Sequence, residues 1–468
     1  MSRIFISAAH KSSGKTTLSI GLCAALNQQG LKVQPFKKGP DYIDPMWLSL
    51  AAERSCHNLD FYTMSHDEIV SRFCEYANPA DISLIEGNKG LYDGLDLDGS
   101  NSNAALSKLL HAPVILVIDA RGMTRGIAPL ILGYQQFDKD VNIAGVILNQ
   151  LGGRRHEQKL RAVIEHYTDV PVVGAVHRDP SLEIIERHLG LMPSNESSTA
   201  REKILQLGRA ITDQVDLNKV MQIAQSAGPI PGQADEVIDE VSSQQDIRIG
   251  IARDAAFGFY YPDDLEAFTR SGAQLIFFDT LADTQLPEID GLFIGGGFPE
   301  TQMRRLEQNE KMRHSIHHAI ENGLPCYAEC GGLMYLARSI QWQGQQHQMV
   351  GILPGDVVMH ERPQGRGYIR LHPTTNSLWP INADSDQEIC GHEFHYSALE
   401  NLPDNLIYAF DVKRGTGIDG KHDGIVYKNL LANYAHLRNT RQSPWVHGFV
   451  NYVRQCKIMM NDVRRGES

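Results

Sequence analysis

The apolar run Leu324-Pro325-Cys326-Tyr327-Ala328 leads through Glu329 to Cys330, and Gly331, Gly332 and a helix-like segment, Leu333 to Ser339, follow at once. A strand, a tight turn and a helix with a thiol at the apex hold a nucleophile in the open, beside backbone N–H groups and a positive helix end. Such surroundings lower a thiol's pKa and stabilise an oxyanion. A buried core cysteine is the plain alternative, and the two glycines after Cys330 speak against it. A second constellation lies at the other end of the chain, Ala8-Ala9-His10-Lys11-Ser12-Ser13-Gly14-Lys15-Thr16-Thr17. It follows the apolar run Ile4-Phe5-Ile6 and precedes a helical pattern from Leu18 to Leu26. Gly14, Lys15 and Thr16 match the end of a P-loop, where backbone N–H groups cradle phosphates, the lysine reaches the β/γ-phosphates and the hydroxyl takes Mg²⁺. Ala9 stands where the strict pattern has glycine. A nucleotide is the expected ligand, with Ser12, Ser13, Gly14, Lys15, Thr16 and Thr17 around it.

Two layered domains are needed to position these groups. The first half alternates strand-like runs (82–85, 113–119, 143–148, 171–176) with amphipathic segments such as 156–166, the rhythm of a doubly wound parallel sheet. Ligands sit beyond the carboxyl ends of such strands, which marks Glu86 and Asp119. The stretch 226–246 is rich in Gly, Pro, Ser, Gln and acids and reads as a linker between domains 1–225 and 247–468. The second domain repeats the α/β pattern, with strands at 247–251, 274–278, 291–294 and 325–328 and a helix expected over 304–321.

Bulk properties suit a large soluble enzyme. The 468 residues carry 44 Lys and Arg against 56 Asp and Glu, a net charge of −12, which argues against nucleic acid or an anionic membrane as partner. No apolar run is long enough to span a bilayer, and Met1-Ser2-Arg3 passes directly into the first strand without a signal-peptide pattern. Seven scattered cysteines make no disulfide framework and fit a reducing cytoplasm.

Several longer motifs accompany the two constellations. They include Gln34 to Asp44 (QPFKKGPDYID), Asn58-Leu59-Asp60, Glu86 to Gly94 (EGNKGLYDG), Ala256 to Tyr261, Gly295 to Glu300 (GGGFPE), Gly391 to Tyr396 (GHEFHY) and Ala432 to His436 (ANYAH). Together, and in this order, the chain resembles the cobyrinate a,c-diamide synthase family, the glutamine-dependent tetrapyrrole amidases, over nearly its whole length. The resemblance implies a P-loop synthetase domain similar to dethiobiotin synthetase and a class I glutaminase domain. ATP would phosphorylate a substrate carboxylate, and ammonia released from glutamine would displace the phosphate. An internal path for that ammonia is expected, because free ammonia is mostly ammonium at neutral pH.

The resemblance also implies roles. Thr16, Asp41 and Glu86 would hold Mg²⁺, as hard oxygen donors. Lys15 and Lys11 would neutralise the transferred phosphoryl group. Tyr42, Asp44 and Asp93 would position the substrate. Cys330 would attack glutamine with His436 as base, and Gly296 and Gly297 would form an oxyanion hole or a wall of the glutamine pocket. The usual triad has Glu two residues beyond the histidine; Arg438 stands there, so either a Cys–His pair or an acid from elsewhere must serve. His392 and His395 compete with His436, with buried, hydrogen-bonded structural histidines as the favoured reading for both.

The substrate stays open among cobyrinate, sirohaem and nickel-sirohydrochlorin. Asn88-Lys89 and the segment Gly365 to Arg370 depart from the usual cobyrinate pattern. Basic residues such as Lys37, Lys38, Lys89, Arg362, Arg366 and Arg370 are candidates to meet a polyanionic tetrapyrrole. A P-loop partitioning ATPase is a reading from another class; it would need neither Cys330 nor His436. Homodimer formation also stays open.

Overall fold

The computed structural model describes residues 1–184, 186–187, 190–197, 199–230, 245–381 and 387–466. The chain divides into two compact units, Met1–Val237 and Ile238–Ser468. Of the expected linker, 231–244 lie outside the described residues. Residues just before it pack on the first unit: Ile230 joins that unit's core and the Gly228 carbonyl accepts from the Arg3 guanidinium.

Seven parallel strands build the first unit: β1 (Arg3–Ala8), β2 (Val33–Lys38), β3 (His57–Leu59), β4 (Ile82–Glu86), β5 (Val114–Asp119), β6 (Ile143–Leu151) and β7 (Val172–His177). Their order across the sheet is β3-β2-β4-β1-β5-β6-β7. β1, β4 and β5 are buried throughout, as near-continuous Ile, Leu and Val runs require when both faces carry helices. The reversal of strand order around β1 puts a ligand crevice at its carboxyl end. There the chain enters helix α1 (Lys15–Gln28) through the P-loop.

The second unit holds a nine-stranded mixed sheet. Its parallel part runs, in spatial order, Ala273–Phe278, Ile247–Ala252, Gly291–Ile294, Cys326–Glu329 and Leu430–Asn433. Antiparallel strands His422–Tyr427, Ile407–Arg414, Gly365–Pro373 and Ile389–His395 extend it. The expected α/β pattern covers the parallel part; the antiparallel extension was not expected. The helix expected over 304–321 is two helices, Pro299–Gln308 and Glu310–Glu321, because Asn309 breaks the first and caps the second by accepting from the Met312 N–H at 3.4 Å. An aromatic cluster of Phe268, Phe293, Tyr327 and Trp445 packs one face of the sheet. All seven cysteines are free. Among the described residues no helix is long and apolar enough to cross a membrane.

Candidate functional site

Each unit carries its own site. In the first, Ser12 (φ 65°) and Gly14 (φ 82°) adopt left-handed backbone and coil the loop into the N-terminus of α1, the arrangement that turns successive N–H groups toward an anion. Ala9 is not among the residues with positive φ; its backbone therefore tolerates a Cβ, and the missing glycine is not required there. Asn149, at the carboxyl end of β6, donates to the Ser13 carbonyl at 2.8 Å. Ser13 Oγ donates to the His10 carbonyl at 2.8 Å. Thr17 lines a cavity beside the loop with Gly14, Asn149, Val176, Leu207 and Ile211. Lys11 is exposed.

Below the loop lies a buried charge cluster. Lys37 and Glu86 face each other in register on adjacent strands β2 and β4. Glu86 Oε1 accepts from Lys15 Nζ at 3.0 Å, Lys37 Nζ at 2.9 Å and Thr16 Oγ1 at 2.8 Å. Thr16 Oγ1 is also 3.1 Å from Asp44 Oδ2, and Lys37 pairs with the same oxygen. Glu86 Oε2 is buried and meets no hydrogen-bond partner among the described residues. Burial opposes the charge on Glu86, but Lys15 and Lys37 hold its pKa down at about 2. Asp44 goes the other way, raised to about 6 by burial and by the neighbouring Asp41. Burial also works against the Lys37 ammonium, yet Asp44, Glu86 and Asp41 keep it charged.

This geometry redistributes the expected roles. Asp44, assigned by resemblance to substrate, touches Thr16 together with Glu86. Asp41 instead accepts from the N–H groups of Ile43 and Asp44 at 3.0 and 3.2 Å, fixing the start of α2 (Ile43–Ala52), and lies 3.5 Å from Lys37. Lys37 is buried under the loop, so it is no surface charge for a tetrapyrrole. Tyr42 is buried at the N-cap of α2. Asp93 accepts from the Gly90 N–H at 2.9 Å and so orders its own loop. Asp119 binds its neighbour Arg121 at 2.9 and 2.6 Å.

In the second unit Cys330 has φ 46° and ψ −100°, a strained backbone for a residue with a Cβ. Strand Cys326–Glu329 delivers it, the Asn433 carbonyl accepts its N–H at 2.8 Å, and the six-residue helix Gly331–Leu336 departs from it. The surrounding glycines are needed for close approach. A Cβ at Gly331 would lie 2.9 Å from the Gly297 nitrogen, and one at Gly296 would lie 2.5 Å from His436 Cε1. Gly296 and Gly297 are thus brought beside both the nucleophile elbow and His436.

His436 interacts with Cys330. Its Nδ1 faces Glu329 Oε2 at 3.4 Å. The other oxygen, Glu329 Oε1, accepts from the Leu437 N–H at 2.8 Å and the Tyr327 hydroxyl at 2.7 Å. Burial disfavours a charged His436, but contacts with Cys330 and Glu329 push its pKa up to about 10. Asp423 accepts from the N–H groups of Tyr434 and Ala435 at 3.0 and 2.9 Å, which fixes the segment leading to His436. Arg438 turns away and donates to Asp263 at 2.9 Å.

His392 stacks on His436 with ring centroids 4.8 Å apart, and burial followed by the charge of His436 holds its pKa well below the ordinary value. His395 donates from Nδ1 to the Ser397 carbonyl at 2.7 Å and stacks on Tyr434. Both are buried, hydrogen-bonded residues, as expected from the sequence.

Residues 4–191 match the CobQ/CobB/MinD/ParA nucleotide binding domain, and residues 248–443 the CobB/CobQ-like glutamine amidotransferase domain. A protein of Magnetococcus marinus named cobyrinate a,c-diamide synthase is 45% identical, with 97% of each chain covered. Proteins of the same name from Methanosarcina acetivorans (42% identical, 93% of this chain and 92% of the relative) and Archaeoglobus fulgidus (41%, 97% and 98%) are also similar.

The chain belongs to the cobyrinate a,c-diamide synthase family. It is an ATP-dependent amidoligase that takes its nitrogen from glutamine. The sequence marked the P-loop, Glu86, Cys330 and His436; it did not mark Asn149 and Glu329, which the structure brings beside Ser13 and His436. Asn149 had a signal, since it stands just past a strand-like run like Glu86.

Proposed function

We propose that the chain amidates the a and c acetate carboxylates of cobyrinate, through acyl phosphates and ammonia cut from glutamine. The supporting observation is that a P-loop charge cluster and a Cys–His–Glu constellation occur together in a chain alignable almost end to end with relatives named for that reaction. A carboxylate oxygen of the substrate attacks the γ-phosphorus of ATP, and ADP leaves. Lys15 and Lys37 neutralise the charge gathering on the transferred group. Ammonia then adds to the acyl carbon and inorganic phosphate departs. Thr16, Glu86 and Asp44, with Asp41 adjoining, are hard oxygen donors that would hold a Mg²⁺, which would supply positive charge beside the transferred group. We place the nucleoside next to the P-loop, on the side of the cavity lined by Thr17 and Asn149.

In the glutaminase half the Cys330 sulfur attacks the glutamine side-chain carbonyl. His436 gives its proton to the departing ammonia, and water then releases glutamate from the thioester. We assign the synthetase chemistry to residues 1–225, the glutaminase chemistry to 247–468 and the enzyme to the cytoplasm. The test is mass spectrometry of tetrapyrroles after incubation with ATP, Mg²⁺ and glutamine, with cobyrinate, sirohaem and nickel-sirohydrochlorin supplied separately. Double amidation of cobyrinate is the expected result. Amidation of one of the others alone would move the substrate assignment to that compound.

A further inference from the structure

We propose that Glu329, the residue immediately before the nucleophile, is the acid that orients His436 in glutamine hydrolysis. The inference rests on the amidotransferase reading and adds the third member that the sequence pattern lacks. In the expected place, two residues beyond the histidine, Arg438 is engaged with Asp263 and stacks its guanidinium over Tyr261 at 5.1 Å. It contributes no negative charge to His436.

The division of labour within the Glu329 carboxylate carries the argument. Oε1 is fixed by two donors, the Leu437 N–H at 2.8 Å and the Tyr327 hydroxyl at 2.7 Å. That leaves Oε2 facing His436 Nδ1 at 3.4 Å, with both side chains 3% exposed. An ionised carboxylate only accepts, so the proton of a neutral imidazole belongs on Nδ1, and Nε2 stays free to take the thiol proton. Strand register supplies the proximity. Glu329 lies opposite Asn433 on the neighbouring parallel strand, three residues before His436. The Leu437 N–H that binds Oε1 is the next residue after the histidine, so the same carboxylate holds both the ring and the backbone carrying it.

The other charged or titratable groups around His436 do not substitute for it. Cys330 is the nucleophile itself. His392, stacked on the ring, is held uncharged by burial and contacts the Tyr261 hydroxyl at 3.4 Å through Nδ1. Asp264 accepts from the Asn439 N–H at 2.8 Å.

A purely structural Glu329 would anchor Leu437 and Tyr327 and nothing more. Glu329→Gln separates the two roles. The amide oxygen can keep the Oε1 contacts, while its NH₂ would then face Nδ1 and force the wrong tautomer. Glutamine hydrolysis should lose about 10²–10⁴-fold in kcat with KM for glutamine little changed, as when the acid of a Ser–His–Asp triad is amidated. Alkylation of Cys330 by iodoacetamide, followed on its peptide, should slow about tenfold or more at pH 7 and change its pH profile. Glu329→Asp should recover part of both, and Tyr327→Phe should leave the pH profile in place. A Glu329→Gln protein with wild-type alkylation and turnover would overturn the assignment.

If Glu329→Gln does not fold, ¹⁵N shifts of His436 decide. They are read in Cys330→Ala protein above the pH at which the ring loses its charge. The Nδ1–H tautomer supports the assignment and the Nε2–H tautomer overturns it. Alkylation and ¹⁵N shifts need no glutamine turnover. A wild-type protein that releases no glutamate would therefore defeat the amidotransferase reading while these two readouts still judged Glu329.

Discussion

The side-chain amide of Asn149 occupies the space that a side chain on Gly14 would need. A Cβ on Gly14 would lie 2.2 Å from Asn149 Nδ2, the atom that donates to the Ser13 carbonyl at 2.8 Å. Gly14 also has φ 82°. Strand β6 and the P-loop are therefore locked together at the phosphate end of the site.

Gly14→Ala should break that lock. Left-handed backbone with a Cβ costs about 1–2 kcal/mol, and Asn149 must give up its hydrogen bond, worth about 1 kcal/mol. Affinity for ATP should fall about tenfold or more, measured by calorimetry. Wild-type affinity would show that Asn149 moves aside freely.

Asp44→Asn should stabilise the nucleotide-free protein while abolishing amidation. The folded pKa of Asp44, about 6, lies above its ordinary value of 3.8. The native protein therefore gains a proton over that window before the unfolded chain does, and this group's penalty at neutral pH disappears on acidification. The variant should gain about 1–3 kcal/mol at pH 8, with the advantage gone near pH 4. Urea titrations at both pH values test it; a less stable variant at pH 8 refutes the sign.

Glu86 has the opposite dependence. Its folded pKa is held near 2, below the ordinary 4.5, so its stabilisation is present above pH 4.5 and fades as pH falls through 2. Glu86→Gln should lose stability at pH 7 and show a flatter acid limb in the same titrations. It should also form no product with glutamine or with ammonium salts. Normal turnover with ammonium would remove Glu86 from the phosphoryl-transfer site.

Cys330→Ala should abolish amidation driven by glutamine and leave amidation driven by ammonium salts, because thioester chemistry and phosphoryl transfer use different residues. Product assays with both nitrogen sources check this. Loss of both activities in a folded variant would contradict the separation.

What the sequence disclosed depended on how local each signal was. The P-loop and the Cys330 elbow are contiguous motifs whose backbone needs are written in their glycines. Glu86 was legible because it ends an apolar strand. Lys37 gave only a charge, since its pairing with Glu86 comes from β2 lying beside β4. Glu329 was hidden for a related reason. The usual acid position lies beyond His436 along the chain, whereas Glu329 comes from a parallel strand 107 positions earlier, at 3.4 Å. Asn309 concealed a helix break because apolar spacing continues on both sides of it. Asp41 and Asp44 share one motif, and only the start of α2 distinguishes the carboxylate that caps the helix from the one that meets Thr16.

An acyl phosphate formed from the substrate carboxylate is the central step of the proposed reaction. The measurement is the fate of ¹⁸O placed in the cobyrinate carboxylates during turnover with ATP and glutamine. Each amidation should move one labelled oxygen into inorganic phosphate, with ADP as the nucleotide product. Amidated product with label in AMP, or with unlabelled phosphate, would contradict the account.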